Sequence, residues 1–199
     1  MRQATKIAVA GTHSTGKTTF LSTLQGDLES AGYTVARVAD LGLGASQTGF
    51  PILQHHTHES TLWIITRGIS LELEAGLRAH VVLVDRPVPD ALGYYHAALT
   101  YRADTCPPEY RDYLYRLARN HAATYDLIFK TRLDETIPLG DNKPRDTDHR
   151  YRVIADFAVS DVLQDLGVTP KPLTPGNYGD AARLALETVR DRVEPSPAA

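Results

Sequence analysis

The chain has 199 residues, and its 21 Lys and Arg nearly balance its 24 Asp and Glu, for a net charge of −3; this is no electrostatic footprint for a nucleic-acid backbone. Hydrophobic residues make up 42% and charged residues 23%, an ordinary globular composition for one core, and the single cysteine, Cys106, excludes an intrachain disulfide framework and a cysteine-based zinc site. The longest aliphatic runs are far too short to span a bilayer and the N-terminal one stops at Gly11, so neither a membrane span nor a signal peptide is expected and the chain reads as cytoplasmic.

In chain order, Thr5-Lys6-Ile7-Ala8-Val9-Ala10 reads as a short buried strand ending at Gly11. From Lys17, Phe20, Leu21, Leu24 and Leu28 recur at helical spacing, and Gly32 ends the run. A second strand fits residues 33–38. Residues 40–56 are rich in glycine, contain Pro51 and keep no period, so they read as a long functional loop. Leu62, Ile65, Ile69, Leu73 and Leu77 then define one face of a long helix, with Arg67, Glu72, Glu74 and Arg78 largely off it. Val81-Val82-Leu83-Val84 is a third strand that delivers Asp85-Arg86-Pro87 at its carboxyl end. Helices follow from about Pro89 to Thr100 and from Pro108 to His121, then a fourth strand at residues 126–130. Residues 132–149 are polar, contain prolines and have no apolar period. Tyr151, Ile154, Ala158 and Val162 mark another helix, residues 168–173 a fifth strand, and a last helix begins near Tyr178. Residues 1–193 form one domain on this reading, and residues 194–199 a flexible tail.

Strands that are continuous aliphatic runs, alternating with helices, indicate an α/β fold with a parallel sheet covered on both faces. Ligands in such sheets sit beyond the carboxyl ends of the strands. The residues expected there are 11–18, Asp40, Asp85, Arg86, Arg132 and 174–177.

Gly11-Thr12-His13-Ser14-Thr15-Gly16-Lys17-Thr18 satisfies G-x-x-x-x-G-K-[ST] in full, after a strand and opening a helix as the motif requires. Its glycines let successive N–H groups curl around phosphate oxygens, and the helix dipole adds to the anion site. Gly11, His13, Ser14, Thr15, Gly16, Lys17, Thr18 and Thr19 are therefore expected to bind ATP. Lys17 would reach the β- and γ-phosphates, and the Thr18 hydroxyl would ligate Mg²⁺. A GTPase is excluded by pattern: Asn142-Lys143-Pro144-Arg145 fails N-K-x-D at its last position, and Asp85-Arg86-Pro87-Val88 lacks the glycine of D-x-x-G.

The phosphate loop through Thr19, the Asp85-Arg86 pair leading into Pro89-Asp90-Ala91-Leu92, and Arg145 with Arg152 seven residues on together resemble the P-loop nucleoside/nucleotide kinase superfamily, nearest to small kinases of the ribosylnicotinamide kinase type. The resemblance covers most of residues 5–193. It implies a three-layer P-loop NTPase fold: a five-stranded parallel sheet with helices on both faces and an arginine-bearing lid at about residues 132–149. It also implies an Mg·ATP donor, and the acceptor expected is a small molecule, a nucleoside, nucleotide or related metabolite; a homodimer is the candidate assembly, with neither nucleic acid nor membrane expected as partner. The alternative is a P-loop ATPase or nucleotide-sensing module without an acceptor.

Asp85, beside the phosphate loop, can hold Mg²⁺ or orient the acceptor, and Arg86 can offset charge on the transferring phosphoryl. Asp40 can accept a hydroxyl proton across the cleft; its alternative is an Asx-turn over Asp40-Leu41-Gly42. Arg145 is expected to act in catalysis and Arg152 on the nucleotide, with Arg132 and Arg150 as further candidates. Trp63, Tyr94, Tyr95 and Tyr101 could stack on a planar ring or lie in the core. Arg67 and Arg102 could clamp a phosphate. His55, His56 and His58 fit loop or substrate-binding roles better than a metal site, for no second cluster completes one.

Overall fold

The computed structural model describes residues 4–12, 15–133 and 148–193. The elements run β1 (Thr5–Ala10), α1 (Lys17–Ser30), β2 (Val35–Val38), α2 (Gly42–Gln47), α3 (His58–Gly76), β3 (Val81–Asp85), α4 (Val88–Arg102), α5 (Pro108–Ala122), β4 (Leu127–Thr131), α6 (His149–Asp165), β5 (Lys171–Leu173) and α7 (Tyr178–Arg190). Two 3₁₀ turns, Leu53–His55 and Pro175–Asn177, complete the framework. The sheet is parallel, ordered β2-β3-β1-β4-β5, so β1 is central and its outgoing loop lies where the strand order reverses.

Strand alternation divides the core. Ile7, Val9, Val81, Leu83, Leu127 and Phe129 point to one face, where Phe20, Leu21, Leu24 and Leu28 of α1 and Ala181, Ala185 and Val189 of α7 cover them. Ala8, Ala10, Val82, Val84 and Ile128 point to the other, under Tyr94, Ala97 and Ala98 of α4 and Tyr151, Ala155, Val159 and Leu163 of α6. Burial on both faces is why these strands read as unbroken aliphatic runs. Ile65 of α3, Leu92, Tyr95 and Leu99 of α4, and Leu114 and Ala118 of α5 close a third cluster outside the second face.

Helices α4 and α6 cross in close contact at Gly93. A Cβ there would lie 2.7 Å from both Cα and Cγ2 of Val159. Gly93→Ala must push the helices apart and is expected to lose about 1–3 kcal/mol of stability. Thermal unfolding of the variant measures it, and an unchanged midpoint would show that α6 yields freely.

Three expectations are corrected. Residues 40–56 are not loop throughout: α2 forms because Ala45 packs into the core and Asp40 Oδ1 accepts the Gly42 N–H at 2.9 Å. The second strand starts late because Tyr33 still belongs to the end of α1, its N–H donating to the Leu28 carbonyl at 3.1 Å after Gly32 turns at φ 88°. The buried face of α3 is not the leucine stripe. Leu73 and Leu77 are 60% and 71% exposed, whereas Thr61, Ile65, Gly68 and Glu72 are buried. Glu72 is inside because its carboxylate is met from three sides: by Lys6 Nζ at 3.3 Å and His121 Nε2 at 2.7 Å on Oε2, and by the Tyr125 hydroxyl at 2.8 Å on Oε1. Hydrophobic periodicity cannot register a charge whose partners come from distant segments.

Candidate active site

The loop after β1 curls back over the start of α1. Gly16 has φ 82°, and a Cβ on it would lie 2.3 Å from the Tyr178 hydroxyl, so only glycine fits the bend. The loop is held from three elements. The Gly11 N–H donates to Asp90 Oδ2 of α4 at 3.0 Å, the Thr15 and Thr131 hydroxyl oxygens are 2.6 Å apart at the end of β4, and the Tyr178 hydroxyl of α7 donates to the Gly16 carbonyl at 3.3 Å. Asp90, Thr131 and Tyr178 were not among the residues singled out from sequence as site groups. Their types are commonplace and they become informative only in place.

Lys17 is buried in this cradle, donating to the Thr12 carbonyl and, at 3.3 Å, to Thr15 Oγ1. Burial, with Arg86 nearby, lowers its pKa to about 7. Burial raises Asp90 to about 7, and its Oδ1 has no hydrogen-bond partner among the described residues. Thr18 Oγ1 donates to Asp85 Oδ2 at 2.9 Å, which brings the two expected Mg²⁺ residues together at the end of β3. A hydroxyl and a carboxylate are hard oxygen donors of the kind that could hold Mg²⁺. Among the described residues no group of three or more His, Cys, Asp or Glu could hold a metal by itself.

Arg86 follows at φ 71°, a left-handed conformation that a non-glycine side chain adopts only when its surroundings enforce it. Its N–H donates to Val9 O at 3.1 Å, its Nη1 to Gly11 O at 3.1 Å and its Nε to Asp40 Oδ2 at 2.9 Å, and its guanidinium lies 4.9 Å from the centre of the Tyr94 ring. Asp40 thus makes both the Asx-turn weighed from sequence and an ion pair across the strand ends.

These groups open onto one cavity of about 250 Å³. It begins at residues 15–19 and passes Asp85, Asp40 and Arg86. Its lining also includes the apolar side chains of Leu41, Leu43, Ile52, Leu53, Ile64 and Val88, together with His56, Tyr94 and Glu72. Lys17 and Arg86 are the lysine and arginine side chains among its described lining.

Other candidates lie elsewhere. Trp63 packs on Phe50 at 5.6 Å, Tyr95 sits in the α3–α5 core, and Tyr101 bonds Asp148 and meets Tyr151 edge-on. Arg67 and Arg132 are exposed, and Arg150 lies over the Tyr101 ring. Arg102 ties down the carbonyls of Gln54 and His56. His58 stacks on Tyr110 at 4.3 Å. Arg152, in the first turns of α6, is 6% exposed, and its Nε and Nη2 have no partner among the described residues. His13, Ser14, Arg145, the tail and nearly all of the 132–149 segment lie outside the described residues. Among the described residues no helix is long and apolar enough to cross a membrane.

The chain matches the family described as an AAA domain over residues 6–181, and it belongs to that family. No curated protein sequence matches it. Among solved structures it is similar to NadR in complex with NAD and AMP-PNP, at 19% identity and a TM-score of 0.63 over 98% of this chain and 52% of that one. It is also similar to thymidylate kinase from Ehrlichia chaffeensis, at 14% identity and a TM-score of 0.61 over 94% of this chain and 99% of that one. The chain thus spans about half the length of the NadR chains. At such identities the likeness is one of fold: a five-stranded parallel sheet with helices on both faces.

Proposed function

We propose that this AAA-domain protein is an Mg·ATP-dependent kinase that moves the γ-phosphoryl group to a hydroxyl of a small, uncharged acceptor, a nucleoside or related metabolite. The observation that carries the reading is that one cavity is lined both by residues 15–19 with Asp40 and Arg86 and by the apolar side chains of Leu41, Ile52, Leu53, Ile64 and Val88. A nucleotide hydrolase needs room for water there; an apolar lining suits a second molecule.

The acceptor's charge follows from the lining. A phosphate acceptor calls for arginine clamps, but in the described lining Arg86 is paired with Asp40, and Lys17 is assigned to the donor phosphates. A hydroxyl acceptor calls for a base instead, and Asp40 stands at the junction. In the transfer, the hydroxyl proton passes to the Asp40 carboxylate as the acceptor oxygen bonds to the γ-phosphorus. The bond from that phosphorus to the bridging oxygen breaks, and ADP leaves with its electron pair. Lys17 and Arg86 offset charge on the moving group, and Arg145 is assigned the same role. Mg²⁺, when bound, neutralises the phosphate oxygens, and Thr18 and Asp85 are the residues to hold it. Buried guanidinium N–H groups such as Arg152 Nε and Nη2, which have no partner among the described residues, are costly until an acceptor pairs with them, which supports assigning Arg152 to the nucleotide.

ADP release from Mg·ATP, measured against nucleosides and nucleoside monophosphates, tests the proposal. ADP formation is expected to depend on a nucleoside, and Asp40→Asn is expected to lower kcat by about 10²–10⁴-fold. The same rate with and without any acceptor would make the protein an ATPase.

A further inference from the structure

Among the apolar walls of the cavity beyond Asp40 stands an imidazole, His56, beside the phenol of Tyr94. It belongs to no expected metal or catalytic set, yet it is 4% exposed and lines the cavity beside Tyr94, ring centres 6.1 Å apart. The chain holds it there at some expense. Leu53, which opens the turn and also lines the cavity, has φ 59°, a strained conformation for a leucine. Arg102 of α4 reaches across to donate to the carbonyls of Gln54 and His56, which locks the turn onto the cavity wall. Strain maintained by a dedicated clamp, at a segment that faces a cavity, points to recognition rather than to chain connection.

The hydrogen-bond partners of Ser60 set which nitrogen of His56 carries the hydrogen. Ser60 Oγ lies 3.2 Å from His56 Nδ1 and 3.1 Å from the Thr57 carbonyl, and it already accepts the Thr57 N–H at 2.9 Å. The Thr57 carbonyl has two lone pairs, and both are taken by Thr61, through its N–H at 3.1 Å and its hydroxyl at 2.7 Å. We assign the Ser60 hydroxyl hydrogen to His56 Nδ1 rather than to the Thr57 carbonyl, which Thr61 already engages twice, and this assignment places the ring's own hydrogen on Nε2. Burial, then the guanidiniums of Arg102 and Arg86, lower the His56 pKa to about 4. The imidazole is thus neutral at physiological pH and offers a single N–H. Nε2 has no partner among the described residues.

We propose that His56 is a specificity-determining residue that donates its Nε2–H to a lone-pair atom on the ring of the acceptor, with Leu53 against the apolar part of that ring and Ser60 fixing the tautomer. The proposal rests on this part of the cavity being the acceptor site. It defines the ligand further: an uncharged molecule bearing a hydroxyl at one end and, away from it, a ring oxygen or nitrogen that accepts a hydrogen bond.

The test is calorimetric binding of uridine, cytidine, adenosine and inosine, in the presence of Mg·ADP, to the wild type, His56→Phe, His56→Gln and Ser60→Ala. The wild type is expected to bind at least one of the four, and His56→Phe to bind it about ten-fold more weakly, the loss of one neutral hydrogen bond. His56→Gln places an amide N–H near the position of Nε2 and is expected to recover part of the loss. Ser60→Ala, which keeps the ring but frees its tautomer, is expected to weaken binding by a smaller factor and covers the case in which His56→Phe does not fold. Equal affinities for the wild type and both the His56→Phe and Ser60→Ala variants would overturn the proposal. So would glutamine performing no better than phenylalanine, or a wild type that binds none of the four. Because the measurement reads binding without turnover, nucleoside binding that depends on His56 but is never followed by transfer would sink the kinase reading and leave this one standing.

Discussion

Replacing Lys17 with alanine is expected to lower kcat for acceptor-dependent ADP release by 10²-fold or more, about the scale for removing one group that stabilises transition-state charge. The same change is expected to leave the fold intact. Lys17 is buried among the loop's own oxygens, and burial lowers its pKa to about 7 from 10.5 in the unfolded chain. Between those values the unfolded chain binds the proton more tightly, so the lysine opposes folding there and its contribution improves as pH rises toward 10.5. Lys17→Ala should therefore melt no lower than the wild type at pH 7–8, about the bottom of that window. A variant that keeps near-full activity would remove Lys17 from phosphate handling; one that melts much lower would make it a structural residue.

Glu72→Ala carries the largest expected effect on stability. The substitution leaves the Lys6 ammonium buried without its counter-charge and strips a partner from His121 and Tyr125 together. Breaking a buried pair from one side costs about 3–5 kcal/mol, or a drop in melting midpoint of roughly 6–20 °C at about 2–4 °C per kcal/mol for a chain of this size. Function is expected to suffer too, because the Tyr125 hydroxyl that donates to Glu72 accepts the Val88 N–H at 3.1 Å and so fixes the start of α4 just after Asp85 and Arg86. Chemical denaturation measures the loss. A change under about 1 kcal/mol, the scale of an exposed pair, would show that Lys6 reaches water.

The phosphate loop and the sheet were legible in the residues because both are local. A strand buried on two faces must be aliphatic along its whole length, as at Val81-Val82-Leu83-Val84, and a loop that wraps phosphate needs glycine and Lys-Thr at fixed spacing. Asp85 and Arg86 were legible for the same reason, since a strand's carboxyl end is known once the strand is. The surroundings of those residues were not. The pairing of Asp40 with Arg86 spans 46 positions, the bond from Gly11 to Asp90 spans 79, and that from Lys6 to Glu72 spans 66. Each depends on which strands become neighbours, and no period or motif within a window of one chain segment encodes it. That is also why Glu72 read only as a charge off the apolar face of its helix, and why His56 read as one histidine among three. Local spacing determined the fold class and the place of the loop after β1; only the packing of α2, α3 and α4 over the strand ends decided which side chains line the cavity beyond it, because a side chain's charge and exposure are set by neighbours that the chain brings in from far away.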